Sequence, residues 1–133
     1  MKKIKKMNRD KELEVDSVTG AILKASFEVM NHVGHGFQEA IYQRALNLEL
    51  TQAGLEVERE VQFPMSYKGN PIGMFIADFV VENSVIVELK ALDAPLQPAH
   101  FGQCLNYMRV SALNAGLLIN FGRPKLEYRR LNR

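Results

Sequence analysis

The chain has 133 residues, 47% of them apolar and 24% charged, with a net charge of +2, which fits one globular domain and speaks against a disordered one. No apolar run is long enough to span a bilayer, and the basic start (Lys2, Lys3, Lys5, Lys6) leads into polar and acidic residues rather than an apolar signal core, so a cytoplasmic protein is expected. Cys104 is the single cysteine; it allows no disulfide within the chain and disfavours a cysteine-based zinc site. Lying in an apolar helical stretch, it reads as a small buried hydrophobe.

Charge is spread unevenly, with Lys2 to Lys6 at one end and Arg123, Lys125, Arg129, Arg130 and Arg133 at the other. Two readings stay open: a pair of solubilising tails, or, if the ends converge, a grip on a phosphate backbone. Residues 1–14 are polar and predicted to be loose, and residues 15–133 are predicted to form the single domain. Val18, Ile22, Ala25, Val29 and Val33 recur at helical spacing, with Asp16 or Ser17 placed to cap the helix and Gly34 to end it. After the Gly34-His35-Gly36 break a second helix is predicted from about Phe37 to Ala53, with Ile41, Ala45 and Leu48 on one face and Gly54 at its end. Apolar and polar residues then alternate from Leu55 to Tyr67, the period of a strand with one buried face.

Lys68-Gly69-Asn70-Pro71 reads as a turn, followed by strands at about Ile72 to Glu82 and Val85 to Lys90. Pro95 and Pro98 mark a loop, and a helix is predicted from about Ala99 to Ala112. Ala115 to Asn120 is a short, mostly apolar run, as in a buried strand, and Leu126 to Leu131 suits an edge strand. The order α-α-β-β-β-α-β-(β) predicts an α/β fold, a mixed central sheet flanked by helices. The third helix can serve as the right-handed crossover between two parallel strands.

The strands at 76–90 gather charge. A three-residue turn at Glu82-Asn83-Ser84 places Asp78 directly across from Glu88 and Ile76 across from Lys90. One side of the ribbon then holds Ala77, Phe79, Val81, Val85, Val87 and Leu89. The other side carries Val80 and Ile86, with Asp78, Glu88 and Lys90 at its far end. A two-residue turn would send Glu88 to the opposite face, so the site depends on the register. In the three-residue register the two carboxylates have Cβ atoms about 5 Å apart and repel by a few kcal/mol at an intermediate dielectric. Lys90 offsets part of this. A divalent cation, Mg²⁺ or Mn²⁺, would offset the rest. The pattern alone also fits a partly buried salt-bridge cluster in which Lys90 pairs with one acid.

Asp78 followed by Glu88-Leu89-Lys90 at the end of the next strand resembles the core motif of the PD-(D/E)XK nuclease superfamily, with Ala77 where a proline is usual. Gly36-Phe37-Gln38-Glu39-Ala40-Ile41-Tyr42 matches G-x-x-E-x-x-Y, the signature of a group of small bacterial proteins assigned to that superfamily. Gln103-Cys104-Leu105-Asn106-Tyr107 resembles the Q-x-x-x-Y motif of its RecB-like branch. The resemblance runs from about residue 15 to 130. It implies a restriction-endonuclease-like core and a metal-dependent nuclease, a phosphodiester hydrolase acting on nucleic acid, with DNA the expected substrate. It assigns Asp78, Glu88 and Lys90 to catalysis, and Glu39, Asp78, Glu88 and the Leu89 carbonyl to the metal. Gln103 and Tyr107, on one helix face, would bind substrate or brace the site.

Other readings stand beside these. Glu39 also reads as a solvated helix residue, Tyr42 as core packing, and Gln103 and Tyr107 as hydrogen-bonding braces. His32 and His35 form H-x-x-H at a helix end and read as capping or surface residues. His100 lies one helical turn before Gln103 and could approach the site. Alternatives to the nuclease are a non-catalytic nucleic-acid-binding module on the same fold, motivated by small size, and a protein-interaction component. A homodimer fits either, because one copy has limited surface with which to grip a duplex.

Overall fold

Strong helix formers from Arg9 to Leu13 extend the helical pattern backward, and α1 spans Met7–Val33. It therefore starts well before the Asp16-Ser17 cap expected from sequence, and the supposedly loose lead-in is helical from Met7. The computed structural model describes the backbone of residues 7–133 and the side chains from residue 15 onward; the Lys2 to Lys6 stretch lies outside the described residues. Gly34, at φ +78°, ends α1, its N–H bonded to the Met30 carbonyl at 2.9 Å.

α2 spans Glu39–Gln52. It buries Tyr42, Leu46 and Leu50, whereas Ile41 and Leu48 of the expected face are exposed. Two apolar stripes run along this helix, and the one carrying the aromatic ring faces inward. β1 (Val57–Tyr67) and β2 (Asn70–Val81) follow, joined at Lys68 and Gly69, both with positive φ, as a two-residue hairpin requires. β1 buries less of its apolar face than its alternation suggests: Met65 and Tyr67 are exposed. β3 (Val85–Lys90), α3 (Pro98–Ser111), β4 (Ala115–Asn120) and β5 (Glu127–Asn132) complete the chain.

The sheet runs β1-β2-β3-β4-β5. β3 and β4 are parallel, with α3 as their connection, and the other neighbours are antiparallel. Pro64 lies on the edge strand β1, where a missing N–H costs no ladder bond. On one face of the sheet, Phe79, Val81, Val87, Leu89, Leu117 and Ile119 pack with α1 and α2. On the other, Phe75, Ala77 and Ile86 pack with Cys104 and Met108 of α3. The site described next lies where these two layers meet the sheet. Among the described residues no helix is long and apolar enough to cross a membrane.

Candidate active site

The turn between β2 and β3 adopts the register that polarity segregation favours: Val81 pairs with Val85, Val80 with Ile86 and Phe79 with Val87. The ladder pairs end there, so neither Asp78 with Glu88 nor Ile76 with Lys90 is a ladder pair. Instead the two acids bind across the opened strands. Glu88 Oε2 accepts the Asp78 N–H at 3.3 Å, and Asp78 Oδ2 accepts the Leu89 N–H at 2.8 Å. Each carboxylate thus stands in for a strand carbonyl.

The neighbouring strand is irregular at the same level. The β1–β2 pairing also omits Asp78, its partners running from Arg59↔Phe79 to Val61↔Ala77, and the opposing Glu60 has φ +53°. That left-handed residue interrupts the pleat. Ala77 consequently packs with Ile86 on the α3 side, not with Phe79 as strict alternation predicts.

α2 brings the third acid. Tyr42 is fully buried; its hydroxyl donates to the Gly34 carbonyl at 2.6 Å and accepts the Phe37 N–H at 3.1 Å, and its ring stacks on Phe121. These contacts tie the break before α2 to the core and set where the helix begins. Tyr42 is therefore packing and positioning. Glu39 opens the helix, and Gln43, one turn on, donates to Asp78 Oδ1 at 3.2 Å. Sequence reasoning passed over Gln43; its i+4 spacing from Glu39 was the available signal.

Burial, then the Asp78 charge, pushes the Glu88 carboxyl up to about 8, against the pull of the Asp78 N–H and Lys90. Asp78 is raised as well, chiefly by burial, and Glu39, which stays solvent-exposed at the start of α2, is raised by partial desolvation and then by the Asp78 charge. Among the described residues Lys90 makes no ion pair within 4.0 Å; the pairs present are His32–Glu28 and Arg123–Glu127. The salt-bridge reading of the cluster thus lacks its pair, and Lys90 acts on all three acids at longer range.

On the other side of the sheet Gln103 and Tyr107 share one face of α3, and burial, then the Glu88 charge, raises the Tyr107 phenol. The Tyr107 ring stacks on Phe75 at 4.0 Å between centroids. Cys104 is buried, as expected from sequence, and burial with the nearby Glu88 charge pushes its thiol up to about 12. His100 is occupied elsewhere, its Nδ1 accepting the Gln97 N–H at 2.8 Å as part of the α3 cap. His32 and His35 lie at the surface. The loop after β3 is held by Asn120, which is fully buried. Its Oδ1 accepts the Leu92 and Gly122 N–H groups, and its Nδ2 donates to the Leu92 and Ala94 carbonyls. At Gly122 a Cβ would come within 2.4 Å of the Leu92 backbone, so only glycine fits.

Three carboxyls raised by desolvation, with Glu39 and Glu88 raised further by the Asp78 charge, offer hard oxygens that suit a divalent cation, which would relieve both effects. Both Asp78 oxygens already accept one hydrogen bond, and each keeps a second lone pair. No three His, Cys, Asp or Glu side chains among the described residues lie close enough together to hold an ion as they stand.

A family model described as the PD-(D/E)XK nuclease superfamily matches residues 16–131. The fold is similar to a solved structure described as "Crystal structure of SSO0001", with a TM-score of 0.54 and 18% identity. The match covers 99% of this chain and 61% of that one, so this chain spans under two thirds of its length. No curated protein matches.

Proposed function

The chain belongs to the PD-(D/E)XK nuclease superfamily, and from that membership we propose that it is a metal-dependent nuclease hydrolysing phosphodiester bonds at Asp78, Glu88 and Lys90. The observation that supports this best is the crossed bonding of Asp78 and Glu88 between opened strands, with Lys90 near enough to act on both. Glu39, Asp78, Glu88 and the Leu89 carbonyl would hold Mg²⁺ or Mn²⁺. Bound there, the ion would supply an acidified water and charge compensation at the phosphoryl oxygens. Lys90 sets a positive charge where negative charge develops as the water oxygen bonds to phosphorus and the P–O bond to the leaving oxygen breaks. Gln43 holds Asp78 in place, while Gln103 and Tyr107 brace the α3 side.

DNA as the nucleic acid, a cytoplasmic location, a homodimeric state and a place in the GxxExxY group of the RecB-like branch belong to the same proposal. The Tyr42 bonds that set Glu39 support the first motif, and the α3 face shared by Gln103 and Tyr107 supports the second. The exposed Ile72, Met74 and Ile76 on β2 offer a surface for a second copy.

Cleavage of single-stranded, duplex and branched DNA with Mg²⁺ or Mn²⁺ tests the reading. Wild type should cut at least one of these, and Lys90→Ala should slow cutting by about 10²-fold or more. Equal inactivity of both proteins on every substrate would remove the catalytic claim. One observation favours a second reading, a non-catalytic nucleic-acid-binding module: Asp78 and Glu88 already serve the strand backbone through their crossed bonds. Salt-dependent binding without cleavage would support it.

A further inference from the structure

A groove of about 600 Å³ runs between α3 and the outer half of β1, and the chemistry proposed above does not use it. Met65 forms one wall, and Gly102, Gln103, Asn106, Tyr107 and Arg109 line the other. Among the described residues no carboxylate lines it. Arg109 stands in the last turn of α3, at the end away from the acids. At the other end Tyr107 joins groove and site, since its ring stacks on Phe75 of β2, the strand that carries Asp78. Behind the wall Tyr107 stacks on Phe75, and Phe75 on Phe63 at 4.9 Å.

Gly102 is the informative residue. Glycine inside a helix costs stability relative to alanine, yet the fold has no evident need of it. A Cβ at Gly102 would meet nothing within 4 Å, and the backbone there is not left-handed. A bare Cα does, however, let a ligand come close to the helix surface. The groove's volume matches clefts for small ligands. It can take a short stretch of one strand, but not a duplex, whose major groove alone is about 12 Å wide.

Resting on the nuclease reading, we propose that this groove holds one unpaired strand of nucleic acid beside the scissile phosphate, so that single-stranded or frayed ends are preferred to intact duplex. Gln103 and Asn106 offer hydrogen bonds to bases or sugars, and Arg109 takes a phosphate. The carboxylate-free lining leaves the strand unopposed between that arginine and the site.

Fluorescence anisotropy in EDTA, with a labelled DNA single strand and the blunt duplex made from it, separates the cases without cleavage. The single strand should bind at least about tenfold more tightly than the duplex. Gly102→Glu should weaken single-strand binding by about tenfold or more while melting at or above the wild-type temperature, because glutamate is the better helix former. Equal binding of both DNAs, or no effect of Gly102→Glu, would overturn the proposal. A dimer that Gly102→Glu splits, seen by light scattering with no strand preference, would overturn it in favour of a second copy in the groove. Metal-dependent cleavage is scored separately. Cleavage without strand preference overturns the groove assignment alone, and strand preference without cleavage under Mg²⁺ or Mn²⁺ overturns the nuclease reading alone.

Discussion

Glu88 pays a burial penalty whenever it is ionised, and this gives the site a pH signature. Its carboxyl is raised from 4.5 to about 8, so the fold favours the protonated form. Stability from this group is full below about pH 4.5 and is lost as pH rises toward 8; the raised Asp78 and Glu39 act in the same direction. Thermal melts of the metal-free protein should therefore fall between these pH values. Glu88→Gln, which keeps an oxygen for the Asp78 N–H, should flatten the fall and stabilise the protein at pH 8 by a few kcal/mol, while abolishing cleavage. A wild-type melting temperature independent of pH would contradict the assignment. At this scale the register was legible, because apolar and charged residues segregate only in the three-residue turn. The splaying at Asp78 was not, because it coincides with a left-handed residue, Glu60, on another strand, which the β2–β3 pattern does not reveal. Gln43 was missed because an amide on a helix carries no pattern until its partner is known.

α2 shows how an element delivers a residue it could not place by its own propensity. The Tyr42 hydroxyl bonds the Gly34 carbonyl and the Phe37 N–H, so the tyrosine of the G-x-x-E-x-x-Y pattern sets the start of the helix that bears Glu39. Tyr42→Phe should cost about 1 kcal/mol, from the loss of two part-buried hydrogen bonds, and should lower the cleavage rate more than any change in substrate affinity. Urea unfolding together with kcat and KM checks both; a loss confined to KM would contradict the positioning role. The extents of β3 and β4 were legible to the residue, since short apolar runs between breakers leave little freedom. The inward face of α2 was not, because two apolar stripes compete and tertiary packing chose the one with Tyr42. The start of α1 was misplaced because a good internal cap lies within a longer run of helix formers.

Across the whole molecule, two packing layers meet the sheet at one place. The α1 and α2 layer sets Glu39 and Gln43 on one side of the opened hairpin, and the α3 layer sets Cys104 and Tyr107 near Glu88 on the other. Asn120 and Gly122 hold the loop that leads to α3. The order of elements predicted this layering, because a helix between parallel strands must cross a face of the sheet. The most direct test of the account is the rate of Mn²⁺-dependent DNA cleavage by wild type and by Asp78→Asn, a variant that keeps an oxygen for the Leu89 N–H. The account predicts cleavage by wild type and a loss of about 10³-fold or more in a variant that still folds; equal rates in the two proteins would contradict it.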